Sequence, residues 1–151
     1  MIKQSIEADL KKAMLAGEKE LVTTLRTIKS VILDAEISTG VRDEGLDDGS
    51  IISLLLKETK KRSEAAKIYK DAGDVERCAK ELEENKVIDR YLPTMMGENE
   101  IRKIAQEIVA GISGEIGMQQ MGMIIGQVKA KTGPLADGSL IAKAVKDLIS
   151  K

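Results

Sequence analysis

Hydrophobic residues in the first forty positions recur every three or four residues: Ile2, Ile6, Leu10, Ala13 and Met14, then, past Gly17, Leu21, Val22, Leu25, Ile28, Ile32 and Ala35. This spacing lays one apolar stripe along each of two helices, with Gly17 and Gly40 as their stops. VRDEGLDDG, Val41 to Gly49, reads as a loop in which Asp47 or Asp48 caps the next helix by accepting from a free backbone N–H. That third helix follows Ile51, Ile52, Leu55, Thr59, Arg62, Ala66 and Tyr69 and meets a left-handed stop at Gly73. Asp74 opens a fourth, carrying Val75, Cys78, Ala79, Leu82, Ile88 and Leu92. It should end at Leu92, because Pro93 disfavours helical geometry in the residue before it.

PTMMGENE, beginning at Pro93, is the expected boundary between two subdomains, residues 1–93 and 98–151. Beyond it, Ile101, Ile104, Ala105, Ile108 and Ile112 form one short stripe, GISGEIG interrupts it, and Met118, Met121, Ile125 and Val128 form another. Thr132 to Asp137, TGPLAD, is a turn, and Ile141, Ala144, Val145, Leu148 and Ile149 complete a last helix. No segment alternates as a strand would. The expected architecture is all-α, about four helices followed by three. Gly122 and Gly126, four apart in GMIIG, are expected to face a closely packed neighbouring helix.

Composition removes several kinds of chemistry. The chain of 151 residues has two Tyr, no Phe and no Trp, so its core is aliphatic. Single-strand binding by base stacking and anchoring at a membrane surface both rely on rings that are missing here. His is absent, which eliminates Ser-His-Asp and Cys-His nucleophile arrangements and the commonest metal ligand. Cys78 is the sole cysteine and is expected to be a buried structural thiol. Carboxylate pairs such as Glu83 with Glu84 lack the spacing of a calcium loop. No metal, cofactor or catalytic residue is expected. The N-terminus is charged where a signal peptide would be apolar, and no stretch approaches the roughly 20 apolar residues of a membrane span. The expected location is the cytoplasm, away from membrane.

The net charge of −1 is unevenly spread. From Ile116 onward, Lys129, Lys131, Lys143, Lys146 and Lys151 against Asp137 and Asp147 leave that part at +3 and the rest at −4. Lys129 and Lys131 precede the TGPLAD turn while Lys143 and Lys146 follow it. Asp137 is placed to cap the last helix, and the lysines around the turn are candidates for contact with an RNA backbone. Lys60, Lys61 and Arg62, in the run from Lys57 to Lys67, are candidates of the same kind. Glu58 and Glu64 stand at spacings that also allow ion pairs along the helix surface.

These motifs, taken in order, resemble the YqeY family, small bacterial helical proteins similar to the tail domain of the GatB subunit of tRNA-dependent amidotransferases. The resemblance rests on KAMLAGEKE at Lys12 to Glu20, LRTIKS at Leu25 to Ser30, KKR at Lys60 to Arg62, RYLP at Arg90 to Pro93, QMGMIIG at Gln120 to Gly126, and LADGSLIAKAVKDLI at Leu135 to Ile149. It implies a helical N-terminal subdomain, a three-helix C-terminal one and tRNA, or a tRNA-handling protein, as partner. Ala136 and Asp137 match the family's tail loop, whereas Leu135 and Asp74 stand where the family commonly has basic residues. Three functions follow: a noncatalytic tRNA-associated accessory protein, a component of a carbon–nitrogen ligase that takes its amide nitrogen from glutamine, or a helical protein–protein adaptor. The absence of a visible nucleophile, base or nucleotide loop favours the first over the second.

Overall fold

The computed structural model describes residues 1–150, and among these every regular element is helical. Helices α1 (Ile2–Ala16), α2 (Lys19–Thr39), α3 (Asp48–Asp71) and α4 (Val75–Asp89) belong to a first compact unit that ends at Leu92. Helices α5 (Glu98–Ala110), α6 (Met121–Thr132) and α7 (Gly138–Ile149) belong to a second that starts at Pro93. The stretch before α5 is fastened within the second unit, where the Met96 N–H donates to the Leu135 carbonyl at 2.9 Å.

In the first unit, α1 pairs with α2 and α3 with α4. The apolar stripes of α1 and α2 close on each other and on the start of α3 through Ile6, Leu10, Leu25, Ile28, Ile32, Ile51 and Leu55, joined by Ile88 from the end of α4. Burying each such side chain is worth about 1.5–3 kcal/mol, so this aliphatic cluster holds the unit without a single Phe or Trp. Gly17 and Gly40, at φ 71° and 74°, end α1 and α2 in the left-handed conformation that side chains with a Cβ resist. Asp47 is the cap of α3, accepting from the Ser50 N–H at 2.7 Å, and Asp74 caps α4 by accepting from the Arg77 N–H. Asp48 instead accepts from the Ile2 N–H at 3.1 Å.

The outer half of the α3–α4 pair departs from the sequence expectation. Of the apolar line on α4 only Ile88 is buried: Val75 is 76% exposed, Leu82 is 47% exposed, and Cys78 is half-buried rather than a core thiol. Polar contacts replace an apolar seam here, with Asn85 donating to the Thr59 carbonyl and the Ser63 hydroxyl and Arg62 bridging to Glu84. Helix α4 also stops at Asp89, three residues before Leu92. Arg90, Tyr91 and Leu92 continue as a tighter turn whose N–H groups donate to Val87, Ile88 and Asp89.

In the second unit, Ile101 and Ala105 of α5, Ile124 and Val128 of α6, and Ile141, Ala144 and Val145 of α7 form the core. Gly122 and Gly126 do not pack against a helix, contrary to expectation: both are exposed, and a Cβ at either would meet nothing within 4 Å. The reason is angular, since Ile124 lies two residues from each, about 200° round the helix, and it is Ile124 that faces the core.

Candidate nucleic-acid interface

The TGPLAD turn is a joint between α6 and α7. Gly133 leaves α6 at φ 64°, Pro134 fits a single 3-10 turn over Gly133–Leu135, Ala136 is buried, and Asp137 accepts from the Ser139 N–H at 2.7 Å to begin α7. Asp137→Ala will therefore cost about 0.5–2 kcal/mol of stability, the usual loss for a missing cap. Urea denaturation checks this, and an unchanged midpoint would show the cap to be idle.

The lysines around the joint do not gather into one patch. Lys129 and Lys131 are two residues apart and so point about 200° apart around α6. Lys131 reaches Glu107 of α5 at 3.3 Å, and Lys143 reaches Glu98 of α5 at 3.1 Å. Arg102 of α5 adds longer contacts to Glu98 and to Asp147 of α7. These pairs are exposed, worth about 0–1 kcal/mol each, and exchangeable for a phosphate. Lys129 and Lys146 are exposed and pair with no carboxylate among the described residues.

On α3 the basic run divides by helical position. Lys60 is exposed, and Lys61 pairs loosely with Glu58 at 3.3 Å. Arg62 has to be withdrawn as an RNA contact: it is buried, its Nη1 donates to Glu58 at 2.8 Å and its Nε to Glu84 at 3.1 Å. Burial works to raise the Glu58 carboxyl, but hydrogen bonds from Arg62 and Lys61 outweigh it and hold the carboxyl below its ordinary value. Arg62 was legible as a seam residue, because it continues the spacing of Leu55, Thr59 and Ala66.

Two clefts open on the first unit. One, of about 970 Å³, lies between the start of α2 and α4 and carries Glu18, Glu20, Glu76, Glu83 and Glu84 against Lys19, Arg77, Lys80 and Arg90. That mixture selects no ligand charge. The other, of about 520 Å³, is bordered by Ser5, Ala8, Asp9 and Lys12 of α1 and by Arg90 and Tyr91 after α4. Across it the Tyr91 hydroxyl donates to Asp9 Oδ2 at 2.6 Å. The sequence offered no sign of this pair, because Asp9 and Tyr91 are remote in the chain.

The family model described as Yqey-like protein matches residues 3–149. The chain belongs to the YqeY family. Relatives of this YqeY-family chain include "Altered inheritance of mitochondria protein 41, mitochondrial" of Pyrenophora tritici-repentis, 26% identical over 95% of this chain and 78% of that protein. The protein of the same name from Clavispora lusitaniae is 24% identical over 97% of this chain and 89% of its own length. The E subunit of the glutamyl-tRNA(Gln) amidotransferase of Thermococcus sibiricus is 31% identical over 99% of this chain, which spans 21% of that protein's length. Two of these names place their proteins in mitochondria. Among the described residues no helix is long and apolar enough to cross a membrane.

The segments that carry the resemblance to the YqeY family have distinct structural roles. LADGSLI supplies the Asp137 cap and the first buried turn of α7, KKR supplies one buried bridge and two surface lysines, and KAMLAGEKE supplies Lys12 and the left-handed Gly17. RYLP sets Arg90 and Tyr91 at the edge of the smaller cleft.

Proposed function

We propose that this chain is a noncatalytic accessory protein that associates with tRNA in the cytoplasm, through its shape and its lysines. The observation that carries this reading is the alignment of nearly the whole chain with one fifth of an amidotransferase component named for glutamyl-tRNA(Gln). A stretch of this kind is thus one part of a larger protein named for a tRNA substrate. Lys60, Lys129 and Lys146, exposed and uncommitted to carboxylates, support contact with a phosphate backbone without base reading. The lack of His, with a single cysteine, supports a role without chemistry, because the usual pairings of nucleophile and base cannot be assembled. A component of a carbon–nitrogen ligase would need its catalytic groups from another chain. The adaptor reading draws on exposed Ile68, Val75 and Leu82 of the α3–α4 pair.

Changing Lys129, Lys131, Lys143 and Lys146 together to alanine tests the proposal. Titration with tRNA over a salt series should show weakened binding and a slope against log salt reduced by about one for each phosphate no longer engaged, with the fold unchanged by circular dichroism. Equal binding by the variant at every salt concentration would reduce these lysines to a solvated face.

A further inference from the structure

The smaller cleft of the first unit is built around an unequal set of charges. Asp9 is held by the Tyr91 hydroxyl through one oxygen, and its other oxygen, Oδ1, has no hydrogen bond among the described residues. Burial, the hydrogen bond to Asp9 and the Asp9 charge all raise the pKa of the Tyr91 phenol, against a smaller opposing effect of Arg90, so Tyr91 remains a donor. Lys12 and Arg90 on the same cleft are exposed, and among the described residues neither forms an ion pair. Two cations against one carboxylate leave the cleft favouring an anion, yet the open Asp9 oxygen would repel a phosphate that brought no donor with it. The ligand best matched to this set carries a negative charge and a hydroxyl side by side. Enclosed small-molecule sites are lined mainly by apolar side chains. Here the aliphatic lining is only Met1, Ile2 and Ala8, and the cations stand at the surface, which suits a polymer backbone lying across the cleft.

We propose that this cleft is a ribose-phosphate subsite for RNA, in which Lys12 and Arg90 take a backbone phosphate and Asp9 Oδ1 accepts from the neighbouring 2′-hydroxyl. The proposal rests on the reading of the chain as tRNA-associated and adds a place on the first unit where the backbone is held. The 2′-hydroxyl is the donor by which RNA differs from DNA, so Asp9 gives the cleft a preference that lysines alone cannot provide. Tyr91 is a positioning residue: it fixes the carboxylate so that one oxygen stays turned to the ligand.

The test is fluorescence anisotropy of the full chain with a tRNA transcript and with an all-deoxy chain of the same sequence, over a salt series. The Lys12→Ala/Arg90→Ala double variant should weaken tRNA binding roughly tenfold at low salt and reduce the salt slope by about one, for the single phosphate released. Asp9→Asn keeps an acceptor for Tyr91 and loses the second carboxylate oxygen. It should reduce the preference for RNA over DNA several-fold, with DNA binding the tighter for it, because the charge that repels a phosphate lacking a neighbouring hydroxyl is gone. A loss of fold would instead weaken both ligands and lower the melting temperature, in which case the double variant at the surface positions decides. If tRNA binds and the double variant matches the parent, the subsite is wrong while the tRNA reading stands. If the double variant weakens binding and a folded Asp9→Asn keeps the parent's RNA preference, the 2′-hydroxyl assignment is overturned. If the parent binds no tRNA even at low salt, both are overturned.

Discussion

Arg62→Ala will lower the stability of the first unit by about 3 kcal/mol, while leaving the salt dependence of any RNA binding where it was. Arg62 is buried between Glu58 on its own helix and Glu84 on α4, with contacts of 2.8 and 3.1 Å. Removing it leaves two partly buried carboxylates facing each other without the cation between them, and breaking a buried pair from one side is costly even when forming it gained little. The Glu58 carboxyl, now held low by Arg62 and Lys61 against the effect of burial, should rise once the larger of these donors is gone. Lys60→Ala/Lys61→Ala should do the opposite, changing stability by less than about 0.5 kcal/mol, as exposed positions do. Urea unfolding of the two variants separates them. A loss below about 1 kcal/mol for Arg62→Ala would mean that the bridge is not structural and would return Arg62 to the candidate interface.

Glu36→Gln will cost about 1.5–3 kcal/mol at neutral pH, and will change the shape of the acid limb of the stability curve. Glu36 is fully buried at the end of α2, where its carboxylate accepts from Lys3 Nζ at 2.8 and 3.0 Å and from the Leu46 N–H at 3.2 Å. It thereby ties the first turn of α1 and the loop before α3 to α2. The hydrogen bond from Lys3 is the largest influence on the carboxyl; it is opposed by burial and reinforced by Leu46 and by the Lys3 charge, and the net effect lowers the pKa from 4.5. Because the folded value lies below the unfolded one, the stabilisation is complete above about pH 5 and is lost as pH falls through the folded value. The parent should lose stability between about pH 5 and its acid transition, and Glu36→Gln should show a shallower loss over the same range. Urea midpoints measured from about pH 3 to about pH 7 give both curves. Parallel curves would contradict a role for Glu36 in this linkage.

The helices were legible because their punctuation is chemical: Gly17, Gly40 and Gly73 take left-handed φ values, and Asp47, Asp74 and Asp137 accept from the next helix's N–H groups. What lay beyond the sequence was which side of a helix finds a partner. The apolar residues of α4 and the glycines of α6 both suggested contact, yet Val75, Leu82, Gly122 and Gly126 face outward, since period alone marks a stripe without saying what covers it. The candidate site was harder to read for the same reason. Counting charges placed Arg62 with Lys60 and Lys61, whereas its place in the seam set its role. The Asp9–Tyr91 and Lys3–Glu36 pairs join residues 82 and 33 positions apart, separations at which helical periodicity carries no information.

Crosslinking in living cells, followed by sequencing of the RNA that stays attached to the protein, tests the central proposal most directly. The account predicts tRNA as the dominant class, with the attached peptides containing Lys129, Lys146, Lys60 or the Lys12–Arg90 cleft. Recovery of no RNA above that of an unrelated protein of similar charge would contradict it.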